Sequence, residues 1–302
     1  MKPARLNGLD NLRGLAALMV AAFHADVRPG GIDLFGHGYL AVDFFFALSG
    51  FVMARRYEED FPAPLAFGAM RLARFAPVMA CGALFGLAAL VPDHGWLVAG
   101  GLALLSLLYL PWIGRGWPLF PANPPQWSIL FELLANLVHA ALLHRLSRRA
   151  LAMVALVCAA AMVAGAATPD ESVIFLPRTF YSYTIGIILF RSVARLPRLP
   201  WVIAPLVLGA VPMLAGWSGV VAWGFVFAGV PLVLIAGLAP VRAVPLLGAL
   251  SFPLYAVHYP VLLIALRQGL SPLQALAAAV AAALVVALLV ERKSILRRVR
   301  AG

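Results

Sequence analysis

Long apolar runs dominate this chain. Eleven of them, at about 9–27, 38–54, 71–91, 96–111, 127–144, 150–167, 175–193, 199–216, 219–239, 245–266 and 272–290, are separated only by short polar or Pro/Gly punctuation. A helix needs roughly 20 apolar residues to cross a hydrocarbon core of about 30 Å. Runs this long and this frequent therefore point to an all-α integral membrane protein. The composition agrees: 63% of the residues are hydrophobic and 12% are charged, against about 25% charged in a soluble domain. One water-soluble core and a disordered chain are both excluded. Cys81 and Cys158 lie inside apolar runs, so neither a disulfide framework nor a metal site is expected. Arg13 interrupts the first run and no small-residue cleavage site follows it, so that segment reads as a retained membrane helix.

The fourth run is the weakest. It is short, contains Gly100 and Gly101, and leads into the Pro/Gly-rich stretch WIGRGWPLFPANPPQ, which cannot be regular helix. We read it as a short re-entrant or interfacial segment, leaving about ten transmembrane helices with both termini cytoplasmic. Charge placement supports this count. Ten crossings put Lys2, Arg5, Arg13, Arg55, Arg56, Arg71, Arg74, Arg145, Arg148, Arg149, Arg191, Arg195, Arg198, Arg242, Arg292, Lys293, Arg297, Arg298 and Arg300 on the cytoplasmic side, nineteen of the 23 basic residues, as the positive-inside rule requires. Arg28, Arg115, Arg178 and Arg267 fall outside, and the outer loop TPDESV is acidic. The basic tail ERKSILRRVR lacks interleaved aromatics; it reads as an anchor against anionic headgroups and not as a nucleic-acid site. Residues 1–302 read as a single membrane domain with no appended soluble domain.

An ionisable side chain in a span costs at least about 2.5–3.5 kcal/mol near the bilayer centre, so each one is a functional candidate. The candidates are Arg13, His24, Asp43, Glu132, His139, Arg178 and His258. Arg13 and His24 are eleven positions apart. At 100° per residue that spacing puts both on one face of the first helix, about 16 Å apart in depth. Helical rise places Asp43 and Glu132 in the outer half, near the depth of His24. Ser128, Glu132, Asn136 and His139 follow a 4-4-3 spacing, a polar stripe that must face protein or water. Ser251 and His258 share a face of the tenth run, bracketed by Pro253 and Pro260, which free backbone groups that need local partners. Other readings stay open. Arg13 is also placed to snorkel to the interface, His139 and His258 to be interhelical hydrogen-bonding residues, and Trp112, Trp117, Phe120 and Trp127 to form an interfacial belt or a sugar platform. Arg71 and Arg74, three apart, serve as topology anchors or as a phosphate clamp.

Taken together, LDNLRGLAALMVAAFH, GYLAVDFFFALSGFVM, RLARFAP, WSILFE and SFPLYAVHYP resemble, in order, five motifs of the membrane acyltransferase 3 family. The family's signature is an arginine, ten residues, then a histidine, and Arg13 and His24 match it. The sequence departs from the pattern at Asn11, where the family commonly has glycine, and at Asn136 and His139, which stand where it has aromatics.

The resemblance implies an enzyme of the bacterial inner membrane. It would move an acyl group, often acetyl, from cytoplasmic acyl-CoA to a hydroxyl of an extracytoplasmic glycan or lipid-linked saccharide. It implies His24 as catalytic with Arg13 as its partner, and Arg71 and Arg74 as candidates for the coenzyme phosphates. We expect His24 to be oriented by Asp43 or Glu132, and direct transfer to be favoured over a Ser49 or Ser128 acyl-enzyme. Arg178, His258, Ser128, Asn136, His139 and Trp127 are the acceptor-side candidates. The alternative is a proton-coupled transporter using the same His and carboxylate cluster; no internal repeat between the halves supports it.

Overall fold

The structure is a computed structural model describing residues 6–27, 35–166, 171–214 and 219–299. For 171–172, 211–214, 219–220 and 291–299 it describes the backbone alone. Lys2, Arg5, Arg28, Arg300 and residues 168–170 of the acidic loop lie outside the described residues, as do the side chains of Arg292, Lys293, Arg297 and Arg298.

Every regular element among the described residues is helical. The helices are α1 (Asn7–His24), α2 (Ala41–Tyr57), α3 (Pro64–Leu107), α4 (Gln126–Ala141), α5 (Arg148–Gly165), α6 (Phe175–Arg191), α7 (Ile203–Leu214), α8 (Gly219–Gly224), α9 (Val230–Gly237), α10 (Pro245–Arg267) and α11 (Pro272–Val299). One π-helical turn, Phe225–Gly229, joins α8 to α9. Each apolar run falls on a helix. Among the described residues, five helical segments are long and apolar enough to cross a membrane: Gly38–Tyr57, Pro64–Leu107, Arg148–Gly165, Pro245–Arg267 and Pro272–Val290.

The fourth run is the far end of α3. The helix breaks at Gly95 (φ 71°, ψ 167°), in the left-handed region that glycine alone enters without a steric penalty. Beyond the break, residues 96–107 rise only about 18 Å, too short for a crossing. Trp96 and Leu97 there are 74% and 90% exposed.

The chain forms two compact units. The first comprises residues up to Leu9, Leu40–Leu72 and Phe131–Val241. At its centre α2 meets α6 with almost no side chain between them. A Cβ on Gly50 would lie 2.0 Å from the Tyr183 carbonyl oxygen, and one on Gly186 would lie 1.9 Å from that of Ala47. Small residues at such crossings let the backbones approach and gain dispersion contacts, which replace the hydrophobic drive that lipid does not supply. Ala54, Ala135, Leu143, Leu151, Tyr183 and Ile187 form the core around this crossing.

The second unit comprises Asp10–Tyr39, Ala73–Leu130 and Arg242 onward. Its α11 packs on α10 through a small-residue stripe: Ala275, Ala279, Ala283 and Ala287 are fully buried at four-residue spacing. Pro260 on α10 has no N–H, so the Ala256 carbonyl loses its helical donor. The Asn123 side chain supplies the replacement at 2.8 Å, which is the local compensation that a membrane proline requires.

Candidate active site

In the second unit α1 lies along α10. The Asn11 amide donates to the Arg242 carbonyl (2.9 Å) and its oxygen accepts from the Val244 N–H (2.8 Å), so it holds the first turn of α10. This is the position at which the sequence departs from the family's glycine. One turn further, a Cβ on Gly14 would lie 2.6 Å from the Leu247 carbonyl oxygen, so the helices touch there. Between these contacts, Arg13 donates to Ser251 Oγ at 2.9 Å and pairs with Asp10 at 3.4 Å.

His24 faces the same helix. Its Nδ1 lies 3.0 Å from the Val20 carbonyl and 3.2 Å from His258 Nε2. The ring of Tyr259 meets it edge-on at 5.3 Å. The hydrogen-bond pattern assigns the protons. His258 Nδ1 is 2.9 Å from the Tyr255 carbonyl and 3.1 Å from that of Leu254. Carbonyls only accept, so His258 Nδ1 carries the hydrogen, and in the neutral ring Nε2 holds a lone pair. His24 Nδ1 faces that lone pair and a carbonyl, so it also carries its hydrogen. The lone pair of His24 is therefore on Nε2, the nitrogen turned away from α10, which is the form a general base requires.

The same face of α10 reaches the first turn of α4. Tyr255 Oη is 2.6 Å from Ser128 Oγ, which also donates to the Pro125 carbonyl at 2.9 Å. Ser251, Tyr255 and His258 thus contact Arg13, Ser128 and His24 in turn. Trp127 is half-buried, whereas Phe120 is fully buried and Trp112 and Trp117 pack against the core of Leu90, Leu102 and Ala122.

The first unit holds the carboxylates. Asp43 is completely buried and both its oxygens accept from Arg178 Nε at 2.9 Å; Arg178 also bonds through its terminal nitrogen, and Ser182 donates at 3.2 Å. Glu132 Oε1 accepts from Ser49 Oγ (2.7 Å) and from Arg71 (3.1 Å). Arg71 is 7% exposed, while Arg74, on the next turn of α3, is exposed. The stripe on α4 continues with Asn136 and His139. Tyr183 donates to Asn136 Oδ1 at 2.9 Å, and its oxygen is 3.0 Å from His139 Nδ1.

Several residues expected from the sequence therefore meet: His24 with His258, Asp43 with Arg178, Glu132 with Arg71, and Asn136 with His139 through Tyr183. His24 belongs to one unit, and Asp43 and Glu132 to the other. Sequence reasoning did not single out Tyr183, Tyr255 or the Gly50 and Gly186 pair, and it gave Asn11 no role. A tyrosine deep in an apolar helix is the signal that was available, because a buried phenol needs a partner.

The profile of the acyltransferase 3 family, described as an acyltransferase domain, matches residues 6–292. The chain belongs to this family. It is 35% identical over 164 residues to "Protein 2 in picA locus" of Rhizobium radiobacter, covering 46% of this chain and 82% of that protein. It is also 36% identical over 78 residues to "Putative membrane-bound transacylase BcsY" of Komagataeibacter xylinus, covering 26% of this chain and 18% of that protein. No solved structure matches the chain.

Proposed function

We propose that this acyltransferase takes an acyl group, acetyl as the first choice, from acyl-CoA on the cytoplasmic side and esterifies a hydroxyl of a glycan or lipid-linked saccharide on the outer side of a bacterial inner membrane. The observation that carries the reading is the Nε2 lone pair of His24, oriented by the bonds at Nδ1. In the reaction, Nε2 accepts the proton of the acceptor hydroxyl as its oxygen attacks the thioester carbonyl. The tetrahedral intermediate then expels the coenzyme thiolate, which takes the proton back from the imidazolium, and the products are an ester and free CoA.

On the reading of ten crossings with cytoplasmic termini, the donor's phosphates would meet the inner basic residues, and Arg74 and Arg71 are their candidates. A cleft of about 380 Å³ in the first unit is lined by Arg55, Arg56 and Arg191 but also by Glu58 and Glu59, with Arg191 paired to Glu58, so it carries mixed charge. Arg13, tied to Ser251, keeps α1 and α10 in register, so that His24 stays against His258. Asp43 and Glu132 enter as the charge partners of Arg178 and Arg71. Arg178, Ser128, Asn136, His139 and Trp127 remain the acceptor-side candidates.

The test is acyl transfer from labelled acyl-CoA in membranes carrying wild type or His24→Ala at matched protein level. Transfer is expected to vanish in the variant, and persistence of label on the acceptor rejects His24 as the base. Mass spectrometry of envelope glycans with and without the gene identifies the ester and its acceptor.

A further inference from the structure

We infer that His258 is the positioning residue of His24, in the place where an orienting carboxylate was expected. The inference rests on the reading of His24 as the base. Both oxygens of Asp43 are bound by Arg178, and Glu132 Oε1 by Ser49 and Arg71; the side chain that meets His24 Nδ1 is His258 at 3.2 Å. A base-orienting group has to do two things: select the tautomer, and accept a strengthened hydrogen bond when the ring becomes cationic. Val20 contributes to the first, but in an α-helix its carbonyl also accepts the N–H of His24 itself. His258 Nε2 contributes to both, since its lone pair is 3.2 Å from the Nδ1–H of the ring that becomes cationic.

The acceptor is itself held in place. His258 is fully buried, and Nδ1 is pinned by the Leu254 and Tyr255 carbonyls. Its Nε2 therefore cannot become a donor while the ring stays neutral. The result is a chain from His24 through His258 into the α10 backbone, along which charge formed at His24 polarises successive bonds. An imidazole orients the base without placing a second full charge beside it, which suits a site with little water. Among the described residues, the other titratable side chains in ring contact with the pair are Tyr255 and Tyr259, on α10.

The experiment measures steady-state acyl transfer in proteoliposomes across pH for wild type, His24→Ala, His258→Leu, His258→Gln and His258→Asn, with thermal melting of each purified protein as the control for folding. The glutamine oxygen falls near the position of Nε2, and the asparagine oxygen near that of Nδ1. His258→Leu and His258→Asn are expected to lose on the order of 10²-fold in kcat with the donor KM unchanged, and to move the acidic limb of the pH profile. His258→Gln is expected to stay within about tenfold of wild type, with the limb restored. Equal activity of leucine and glutamine variants, at any level, or an unmoved pH limb in all three, overturns the inference. If His24→Ala transfers as well as wild type, it is the reading of His24 as the base that fails. If leucine alone fails to fold, the contrast between glutamine and asparagine still decides.

Discussion

The two units solve the problem of buried polarity with different chemistry. In the first, negative charge meets positive charge: Asp43 with Arg178, Glu132 with Arg71, and Glu58 with Arg191. In the second, which also carries the partly exposed pairs Arg13–Asp10 and Arg267–Asp93, the contact at His24 joins two imidazoles, and its neighbours are hydroxyls and backbone carbonyls. An ion pair in a low-dielectric site is costly to open, because each ion left alone has lost its hydration. A neutral hydrogen-bonded pair leaves one nitrogen able to gain and lose a proton. The first arrangement fixes charges in place and the second leaves an imidazole nitrogen without a fixed ionic partner, although the residue types looked alike as ionisable groups in apolar sequence.

The largest effect should come from His24→Ala, with a loss of about 10²–10⁴-fold in transfer rate and little change in melting temperature. A large fall in stability instead would mean that the second unit is held together by its imidazoles as the first is by its ion pairs. Next is Asp43→Ala, which strands a buried guanidinium and should cost about 3–5 kcal/mol in unfolding of the solubilised protein. Adding Arg178→Ala should recover part of that loss, and a double-mutant cycle with no coupling would remove the pair from the account. Gly186→Ala sharpens the same point without touching charge: its new Cβ, 1.9 Å from the Ala47 oxygen, should separate α2 from α6 and cost about 1–3 kcal/mol. The smallest is Tyr183→Phe, which removes the hydroxyl linking Asn136 and His139. It should lower stability by about 0.5–1.5 kcal/mol; a fall in transfer at unchanged melting temperature would support Asn136 and His139 on the acceptor side, and unchanged transfer would remove them from it.

Much of the architecture was legible in the chain. Each apolar run became a helix, since burying or lipid-facing 20 residues at a time demands internally satisfied backbone. The weakness of the 96–111 segment was visible in its glycines and length, and the structure adds the break at Gly95. The α4 stripe was legible for the same reason: polar groups at 4-4-3 spacing share a face, and Ser128, Asn136 and His139 are indeed at most 4% exposed. The partners were harder to read. Periodicity says which face of a helix is polar, but not which side chain on another helix completes each bond. Asn11 looked like a minor departure from a glycine, and its function appears only when residues 242 and 244 are beside it.

For this protein, local sequence determined the helices, the membrane habitat, the family and the shared face of Arg13 and His24, because rise, period and transfer free energy act within one segment. Tertiary structure alone decided that arginines would bind the carboxylates and a second histidine would face His24. Contacts between segments more than a hundred residues apart depend on where backbones approach, and here that approach depends on glycines at helix crossings, which periodicity does not reveal.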